Sequence, residues 1–156
     1  QFKDVTTLFK DYELLKELSD GLYDRYKDKG VTKVVAIESR GFIMAPLLAE
    51  RLHAGFVPIR KPGKLPAAVF EETYTKEYGV DSIQIHQDAI DSGDVVLLHD
   101  DLLATGGTML AAVNLIRQFN SRKIYINFLI ELEGLKGRKP FEALNIPVDS
   151  IIKYDL

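Results

Sequence analysis

The segment 95–108 constrains the fold of this 156-residue chain more than any other. It opens with four consecutive apolar residues at 95–98, which is typical of a parallel strand buried on both faces. Two adjacent acids, Asp100 and Asp101, come shortly afterwards. A turn of small residues then leads into a helix that we predict from about 108 to 119. A buried strand followed directly by a helix indicates an α/β domain.

The same alternation recurs along the chain. We predict a helix that Asp11 caps and Gly30 ends, and a second helix at 43–52 with Pro46 in its first turn. Further predicted strands lie at 34–37, 56–59, 124–132 and 151–152, and 70–85 is predicted to form a β-hairpin or mobile flap. We therefore expect a doubly wound, largely parallel sheet flanked by helices, with ligands beyond the carboxyl ends of its strands.

Composition narrows the function classes. A length of 156 residues fits one domain, and a net charge of −3 provides no broad basic field for nucleic acid. No cysteine is present, so disulfides and thiolate metal sites are excluded, which suits a reducing cytoplasm. No apolar run approaches the roughly 18 residues that a membrane-spanning helix needs. We expect a cytoplasmic protein with no nucleic-acid or membrane partner.

The turn at 104–108 has the composition of a phosphate-binding loop. Gly106 and Gly107 allow backbone N–H groups to approach an anion closely, and Thr105 and Thr108 add hydroxyl donors. The helix that follows contributes the partial positive charge of its N-terminus. Neither the Gly-Lys-Ser/Thr ending of a Walker loop nor the G-x-G-x-x-G spacing is present. A turn that merely caps a helix is the alternative, which the whole segment disfavours.

The acids just before this turn suit a sugar. Ionised carboxylates accept hydrogen bonds only, and Asp100 and Asp101 therefore match the two adjacent hydroxyls of a ribose. A site that binds one phosphate and one diol fits a ribose 5-phosphate. His99, immediately upstream, is interpreted as a packing residue rather than a base.

The segment 95–108 resembles the phosphoribosyl-pyrophosphate (PRPP) signature of the type I phosphoribosyltransferases, and 100–108 is similar to the form found in members that use adenine. The resemblance implies transfer of a phosphoribosyl group from PRPP to adenine, giving AMP and pyrophosphate in purine salvage. It implies Mg²⁺, bound mainly through PRPP or pyrophosphate and water, with no protein metal cage. It also implies a single domain over 1–156, whose N-terminal hood we expect to be incomplete, together with a flexible hairpin flap. Through the same resemblance, Asp100, Asp101, Ala104 and the rest of the turn bind the PRPP phosphate and ribose.

Two further loops resemble the family's pyrophosphate-binding segments. Ser39 and Arg40 follow the first strand, and the family places a non-proline cis peptide there, which we expect at Glu38–Ser39. The resemblance assigns both residues to pyrophosphate and gives Arg40 a catalytic role.

The loop at 60–66 carries three cations within five positions. Taken alone, this pattern favours a solvated basic loop. The resemblance assigns Lys61 and Lys64 to pyrophosphate, and it implies that Arg60 enters the site of a neighbouring subunit, hence a homodimer.

The remaining roles also come from the resemblance. Glu77 and Tyr78 match the catalytic pair of the family's flap, where Glu77 would assist proton transfer at the base. At the other end of the site, Phe2 and Leu132 would sandwich adenine. Gln1 and Lys3 would read the edge of the base through their backbone groups. A hydrophobic anchor at Phe2 and a core position at Leu132 are the competing interpretations.

Three other functions stay open at this point. The first is the same chemistry on xanthine or hypoxanthine. The second is a purine regulator that binds PRPP without turnover, although no helix-turn-helix pattern is visible. The third is a metal-binding signalling domain built on Asp100 and Asp101, in which the Gly-Gly-Thr turn would have no purpose.

Overall fold

A parallel five-stranded sheet forms the centre of the protein. The computed structural model describes residues 5–76 and 78–155. The strands of the sheet lie in the order β2-β1-β5-β6-β7, and every neighbouring pair is parallel. Their bounds are β1 Lys33–Ile37, β2 Gly55–Ile59, β5 Val95–Leu103, β6 Lys123–Leu132 and β7 Val148–Tyr154. The predicted parallel α/β sheet is confirmed.

Helices cover both faces of this sheet, as a doubly wound fold requires. The α-helices are α1 Thr6–Phe9, α2 Tyr12–Tyr26, α3 Gly41–Arg51, α4 Gly107–Arg117 and α5 Lys139–Ala143, and a 3₁₀ turn spans Glu133–Leu135. One hydrophobic cluster joins α2 and α3 to the sheet, and a second joins α4 and α5 to it. Successive side chains along a buried strand point to opposite faces, which is why β1 is apolar over 34–37 and β5 over 95–98.

Local signals account for several helix ends. Asp11 caps α2, because its carboxylate accepts hydrogen bonds from the backbone N–H groups of Glu13 and Leu14 at 2.9 and 3.3 Å. The prediction for α3 was wrong at its start. The Phe42 N–H donates to the Ser39 carbonyl at 3.1 Å, the helix begins at Gly41, and Pro46 therefore lies inside it rather than in the first turn.

A separate antiparallel hairpin packs against α4. It consists of β3 Val69–Lys76 and β4 Gly79–His86. Ile83 and Ile85 of β4 are fully buried in the cluster that includes α4. The hairpin joins the main sheet through reciprocal backbone hydrogen bonds of 2.8 and 3.0 Å between Arg60 and Gln84. The predicted hairpin at 70–85 is confirmed, and its base is fixed to the rest of the fold.

The order of the strands determines where a ligand binds. The chain runs from β1 outward to β2, and then returns to place β5 on the opposite side of β1. The direction of winding therefore reverses between β1 and β5, and the loops after these two strands separate to leave a crevice. Arg40 follows β1, and the acid pair lies near the end of β5. Among the described residues, no helix is long and apolar enough to cross a membrane.

Candidate active site

The loop between β5 and α4 forms a cradle at a helix N-terminus. Gly106 adopts a left-handed conformation with φ of 89°, and α4 begins at the next residue. A cavity of about 120 Å³ opens here, lined by the 102–109 segment together with Asp100 and Phe128. The first N–H groups of an 11-residue helix have no partners inside that helix, and they therefore attract an anion.

Glycines at 106 and 137 let two backbone segments touch. A Cβ on Gly137 would lie 2.3 Å from the carbonyl oxygen of Ala104, and a Cβ on Gly106 would lie 2.6 Å from the carbonyl oxygen of Gly137. Larger residues at either position would push the loop away from its support. Gly107 differs, because a Cβ there would meet nothing within 4 Å and would project into open space. The cradle backbone is thus supported by its contact with Gly137, and the space beside Gly107 is open.

The acid pair lies within β5, at the sixth and seventh of its nine residues, not after the strand as the 95–98 prediction implied. Asp101 is buried, and one of its carboxylate oxygens lies 2.9 Å from Arg40 Nε. This ion pair crosses the crevice from the loop after β1 to β5. Asp100 accepts a hydrogen bond from the Asp101 N–H at 2.9 Å. Burial, and then the neighbouring Asp101, raise the pKa of Asp100 well above its ordinary value.

Tight packing keeps Asp100 in place. A Cβ on Gly41, the first residue of α3, would lie 3.0 Å from a carboxylate oxygen of Asp100. His99 is fully buried, and its Nδ1 lies 2.9 Å from Asn127 Oδ1 on β6. Burial lowers the pKa of His99 to about 4, so the ring is neutral near pH 7. This geometry agrees with the interpretation of His99 as a packing residue.

The loop after β1 has the cis peptide predicted at Glu38–Ser39. Glu38 pairs with cations of the basic loop at 60–66. It accepts hydrogen bonds from Arg60 Nε at 3.1 Å and from the Lys61 N–H at 2.9 Å, and Lys64 Nζ lies 3.9 Å away. Burial alone would raise the pKa of Glu38, but these donors outweigh it and leave the pKa below its ordinary value. The side chain of Glu38 was not among the predicted site residues. Its position next to Ser39, a predicted pyrophosphate residue, could have indicated it.

The side chain of Lys61 turns towards the hairpin. Its ammonium forms an ion pair with Asp81 on β4. That hydrogen bond lowers the pKa of the Asp81 carboxyl to about 2. Burial would lower the pKa of Lys61, but Asp81 and Tyr74 together outweigh this effect and leave it above its ordinary value. Nothing in the local sequence marks Asp81 as a partner of Lys61, because 20 positions separate the two residues.

Behind the cradle lies a buried polar network that the sequence also did not reveal. Arg138 donates to both carboxylate oxygens of Glu131, at 2.9 and 2.6 Å, and Ser150 donates to the same carboxylate at 2.8 Å. The side chain of Glu131 is only 3% exposed. This bidentate pair holds the chain between the end of β6 and Gly137 against the sheet. It therefore stabilises the backbone that supports the phosphate cradle.

The structure brings most of the predicted site together. The 104–108 turn, the acid pair and Arg40 meet at the ends of β1 and β5, and Lys61 and Lys64 lie beside the same crevice. Leu132 ends β6 and is half-buried against the α2–α3 cluster, while Tyr78 is 86% exposed at the hairpin tip. Arg60 pairs with Glu38 of its own chain. The residues Gln1, Phe2, Lys3 and Glu77 lie outside the described part of the chain, and their roles stay predictions.

The acids at this site offer few ligands for a metal ion. Within residues 5–76 and 78–155, no group of three or more His, Cys, Asp or Glu side chains is arranged to hold one. An ion here would take most of its ligands from a bound phosphate ester and water. Mg²⁺ suits such a site, because it loses its water ligands reluctantly and binds commonly through one or two carboxylates and substrate phosphates.

Comparison with known proteins identifies the family. The profile of the phosphoribosyl transferase domain matches residues 5–155, nearly the whole chain. The chain belongs to the phosphoribosyltransferase family. The resemblance seen in segment 95–108 is therefore confirmed, and so is the expected type of fold.

Three relatives show how close the match is within this family. An adenine phosphoribosyltransferase of Bacteroides fragilis is 67% identical over 141 residues, which cover 90% of this chain and 79% of that protein. The structure of a Giardia lamblia APRTase complexed with 9-deazaadenine is 41% identical, with a TM-score of 0.94, covering 99% of this chain and 87% of that one. A Trypanosoma brucei adenine phosphoribosyl transferase, in complex with AMP, pyrophosphate and ribose-5-phosphate, is 30% identical, with a TM-score of 0.91, covering 97% and 69%.

Proposed function

We propose that this chain transfers the 5-phosphoribosyl group of PRPP to adenine, giving AMP and pyrophosphate. The observation that carries the proposal is the joint position of an anion cradle at the start of α4 and an acid pair on β5, within one crevice. A phosphate and a ribose diol have the chemistry that these two features recognise. The relatives named above support adenine as the base.

The backbone of the 104–108 turn would bind the 5-phosphate. The first N–H groups of α4, including that of Thr108, have no partner inside the helix, and the Thr105 hydroxyl adds another donor. Asp100 and Asp101 would accept hydrogen bonds from the ribose hydroxyls. Arg40 Nε lies 2.9 Å from an Asp101 carboxylate oxygen, and the guanidinium would also contact pyrophosphate.

The transfer exchanges one bond to the anomeric carbon for another. The bond from this carbon to the pyrophosphate oxygen breaks, while a bond to an imidazole nitrogen of adenine forms, and that nitrogen loses its proton. Positive charge develops on the ribose and negative charge on the pyrophosphate. Arg40, Lys61 and Lys64 would stabilise the departing negative charge, and Glu77 would assist the proton transfer.

The buried acids also suit a cationic transition state. The high pKa of Asp100 means that its charge is poorly solvated by its surroundings. A ribosyl ring that gains positive charge nearby would favour the ionised carboxylate. Mg²⁺ bound through the substrate would supply positive charge that neutralises the leaving pyrophosphate.

The parts of the site that depend on the resemblance alone stay predictions. These are the contacts of Gln1, Phe2, Lys3 and Leu132 with adenine, the entry of Arg60 into a partner's site in a homodimer, and the flap role of Tyr78. A single catalytic domain over 1–156 and a cytoplasmic location belong to the same group. Cell fractionation and light scattering would check the location and the oligomeric state.

An assay of AMP formation tests the function. We expect AMP from adenine and PRPP in the presence of Mg²⁺, and loss of activity when the ion is chelated. A base site that hydrogen-bonds one pattern of donors and acceptors can reject the reversed pattern by about 10⁴. Hypoxanthine and guanine should therefore be much poorer substrates. Equal turnover of adenine and hypoxanthine would contradict the assignment of adenine as the substrate base. Absence of any transfer would contradict the assignment of the chain as an enzyme.

A further inference from the structure

Tyr74 on β3 has no role in the reaction described above, yet its hydroxyl contacts the phosphate cradle. Its half-buried ring packs against the hydrophobic cluster that includes α4. Thr108 Oγ1, in the phosphate cradle, donates a hydrogen bond to this hydroxyl at 3.3 Å. The Lys61 ammonium forms an ion pair with Asp81, which lies directly opposite Tyr74 in the hairpin. The Tyr74 hydroxyl also contributes to the raised pKa of Lys61. One hairpin residue therefore contacts the cradle and lies next to the ion pair of the basic loop.

These two neighbours serve different parts of PRPP. Thr108 belongs to the loop assigned to the 5-phosphate, and Lys61 belongs to the loop assigned to pyrophosphate. A lysine side chain loses much of its rotamer entropy when it is fixed. A partner that holds it in place before the substrate arrives removes that cost from binding.

Asp81 and Tyr74 both favour the charged form of Lys61, but they differ in charge. The Asp81 carboxylate forms an ion pair with the ammonium, and would compete with pyrophosphate for the same positive charge. The Tyr74 hydroxyl is neutral, so it can continue to favour the ammonium while the ammonium binds an anion. Tyr74 is therefore the hairpin residue suited to orient Lys61 throughout binding.

The backbone around Tyr74 is fixed firmly enough for this task. Asn114 on α4 donates a hydrogen bond to Glu72 on the same strand at 3.3 Å. Tyr74 itself is paired in register with Asp81 across the hairpin. Both contacts help to fix the position of the tyrosine ring along α4, close to the N-terminus of that helix.

We propose that Tyr74 is a positioning residue for PRPP, whose hydroxyl orients the Lys61 ammonium towards pyrophosphate and fixes the Thr108 side chain at the edge of the phosphate cradle. The proposal rests on the proposed function. It predicts an effect on PRPP rather than on adenine, because neither neighbour is assigned to the base.

Tyr74→Phe tests this role, because it keeps the ring and its packing while removing the hydroxyl. A single hydrogen bond, one of whose partners is charged, contributes enough that we expect the KM for PRPP to rise about 3- to 30-fold. The kcat and the KM for adenine should stay within about twofold. Calorimetric titration with PRPP and Mg²⁺, without adenine, should show the same loss of affinity independently of turnover.

Thr73→Val is the matched control on the neighbouring residue. The Thr73 hydroxyl lies 2.8 Å from the Ser82 hydroxyl across the hairpin, and it contributes to the hairpin alone. PRPP affinity should be unchanged in this variant. In a Lys61→Ala background, the effect of Tyr74→Phe should shrink, because the hydroxyl acts partly through Lys61.

The outcomes separate the two proposals. Wild-type protein that forms no AMP would overturn the proposed function, while the PRPP titrations would still test Tyr74. Active wild-type protein and a Tyr74→Phe variant of equal PRPP affinity would overturn the positioning role alone. An equal loss of affinity in Thr73→Val would also overturn it, since the effect would then come from a loosened hairpin.

Discussion

The phosphate cradle and the β3–β4 hairpin face the same crevice, but they are stabilised in different ways. The cradle consists of backbone, set by the left-handed Gly106 and by its contact with Gly137. It follows a strand whose first five residues are all buried. The hairpin reaches the site through side chains, chiefly the ion pair of Lys61 with Asp81 and the hydroxyl of Tyr74.

This difference matches what each region has to do. A backbone loop at a helix N-terminus keeps its shape whether or not a phosphate is bound, so its donors are already oriented. A partly exposed ion pair contributes little net free energy and can exchange one anion for another. Under the proposed function, a fixed cradle would bind the phosphate, and the basic loop would exchange a carboxylate for pyrophosphate.

The largest expected effect is in the cradle. Gly107→Val would place a branched side chain where the phosphate must approach, and PRPP binding should become undetectable by calorimetry. The fold should survive, since a Cβ there meets nothing within 4 Å. Gly93→Val, at the opposite end of β5, is the control, because a Cβ there also meets nothing within 4 Å. Normal PRPP affinity in Gly107→Val would contradict the fixed phosphate site.

The next effect concerns Glu77, which lies in the hairpin segment but outside the described residues. Glu77→Gln keeps the size of the side chain and removes its charge and basicity. Loss of a general acid or base costs about 10²–10⁴ in rate, and single-turnover kinetics should show this in the chemical step. PRPP affinity should be nearly unchanged. Glu71→Gln on β3 should retain the wild-type rate, and an equally fast Glu77→Gln would refute the catalytic role.

An intermediate effect is expected from His99, on the strand that carries the acid pair. Its folded pKa is about 4, against an ordinary value of 6.5, because burial disfavours the charged ring. Between these values the unfolded chain binds a proton that the folded chain does not. The free energy of unfolding should therefore fall as the pH drops from about 6.5 to about 4, by ~3 kcal/mol in all.

Comparison with His99→Val isolates this contribution to stability. The raised pKa of Asp100 acts in the opposite direction, and carboxyls with lowered pKa values, such as Glu131, lose their contribution at more acidic pH. Subtracting the two denaturant-unfolding curves at each pH removes these shared contributions. Parallel pH profiles for the two proteins would show that the ring is not kept neutral by burial.

The smallest effect should come from Asp81→Asn in the hairpin. The side chains of Lys61 and Asp81 are 37% and 23% exposed, so solvent screens their attraction. We expect the free energy of unfolding to change by only about 0.2–1 kcal/mol, and the difference from wild type to vanish in concentrated salt. A loss of several kcal/mol in thermal or denaturant unfolding would mean that the hairpin is fixed as rigidly as the cradle.

The sequence by itself determined the features that depend on neighbouring residues. The buried strand, the acid pair, the Gly-Gly-Thr turn and the helix of segment 95–108 are contiguous, and their order alone predicted the cradle. Asp11 as an N-cap and the hairpin at 70–85 were predictable for the same reason, because local hydrogen bonding and side-chain periodicity fix them. Element ends were less certain, as the earlier start of α3 shows.

Only the tertiary structure decided which distant residues meet. The Arg40–Asp101 pair follows from the reversal of strand order between β1 and β5, and no local pattern encodes it. The same holds for Lys61 with Asp81 and for Thr108 with Tyr74, whose partners lie on separate elements. Such contacts depend on how sheet, helix and hairpin pack, and packing brings together side chains whose separation along the chain carries no signal.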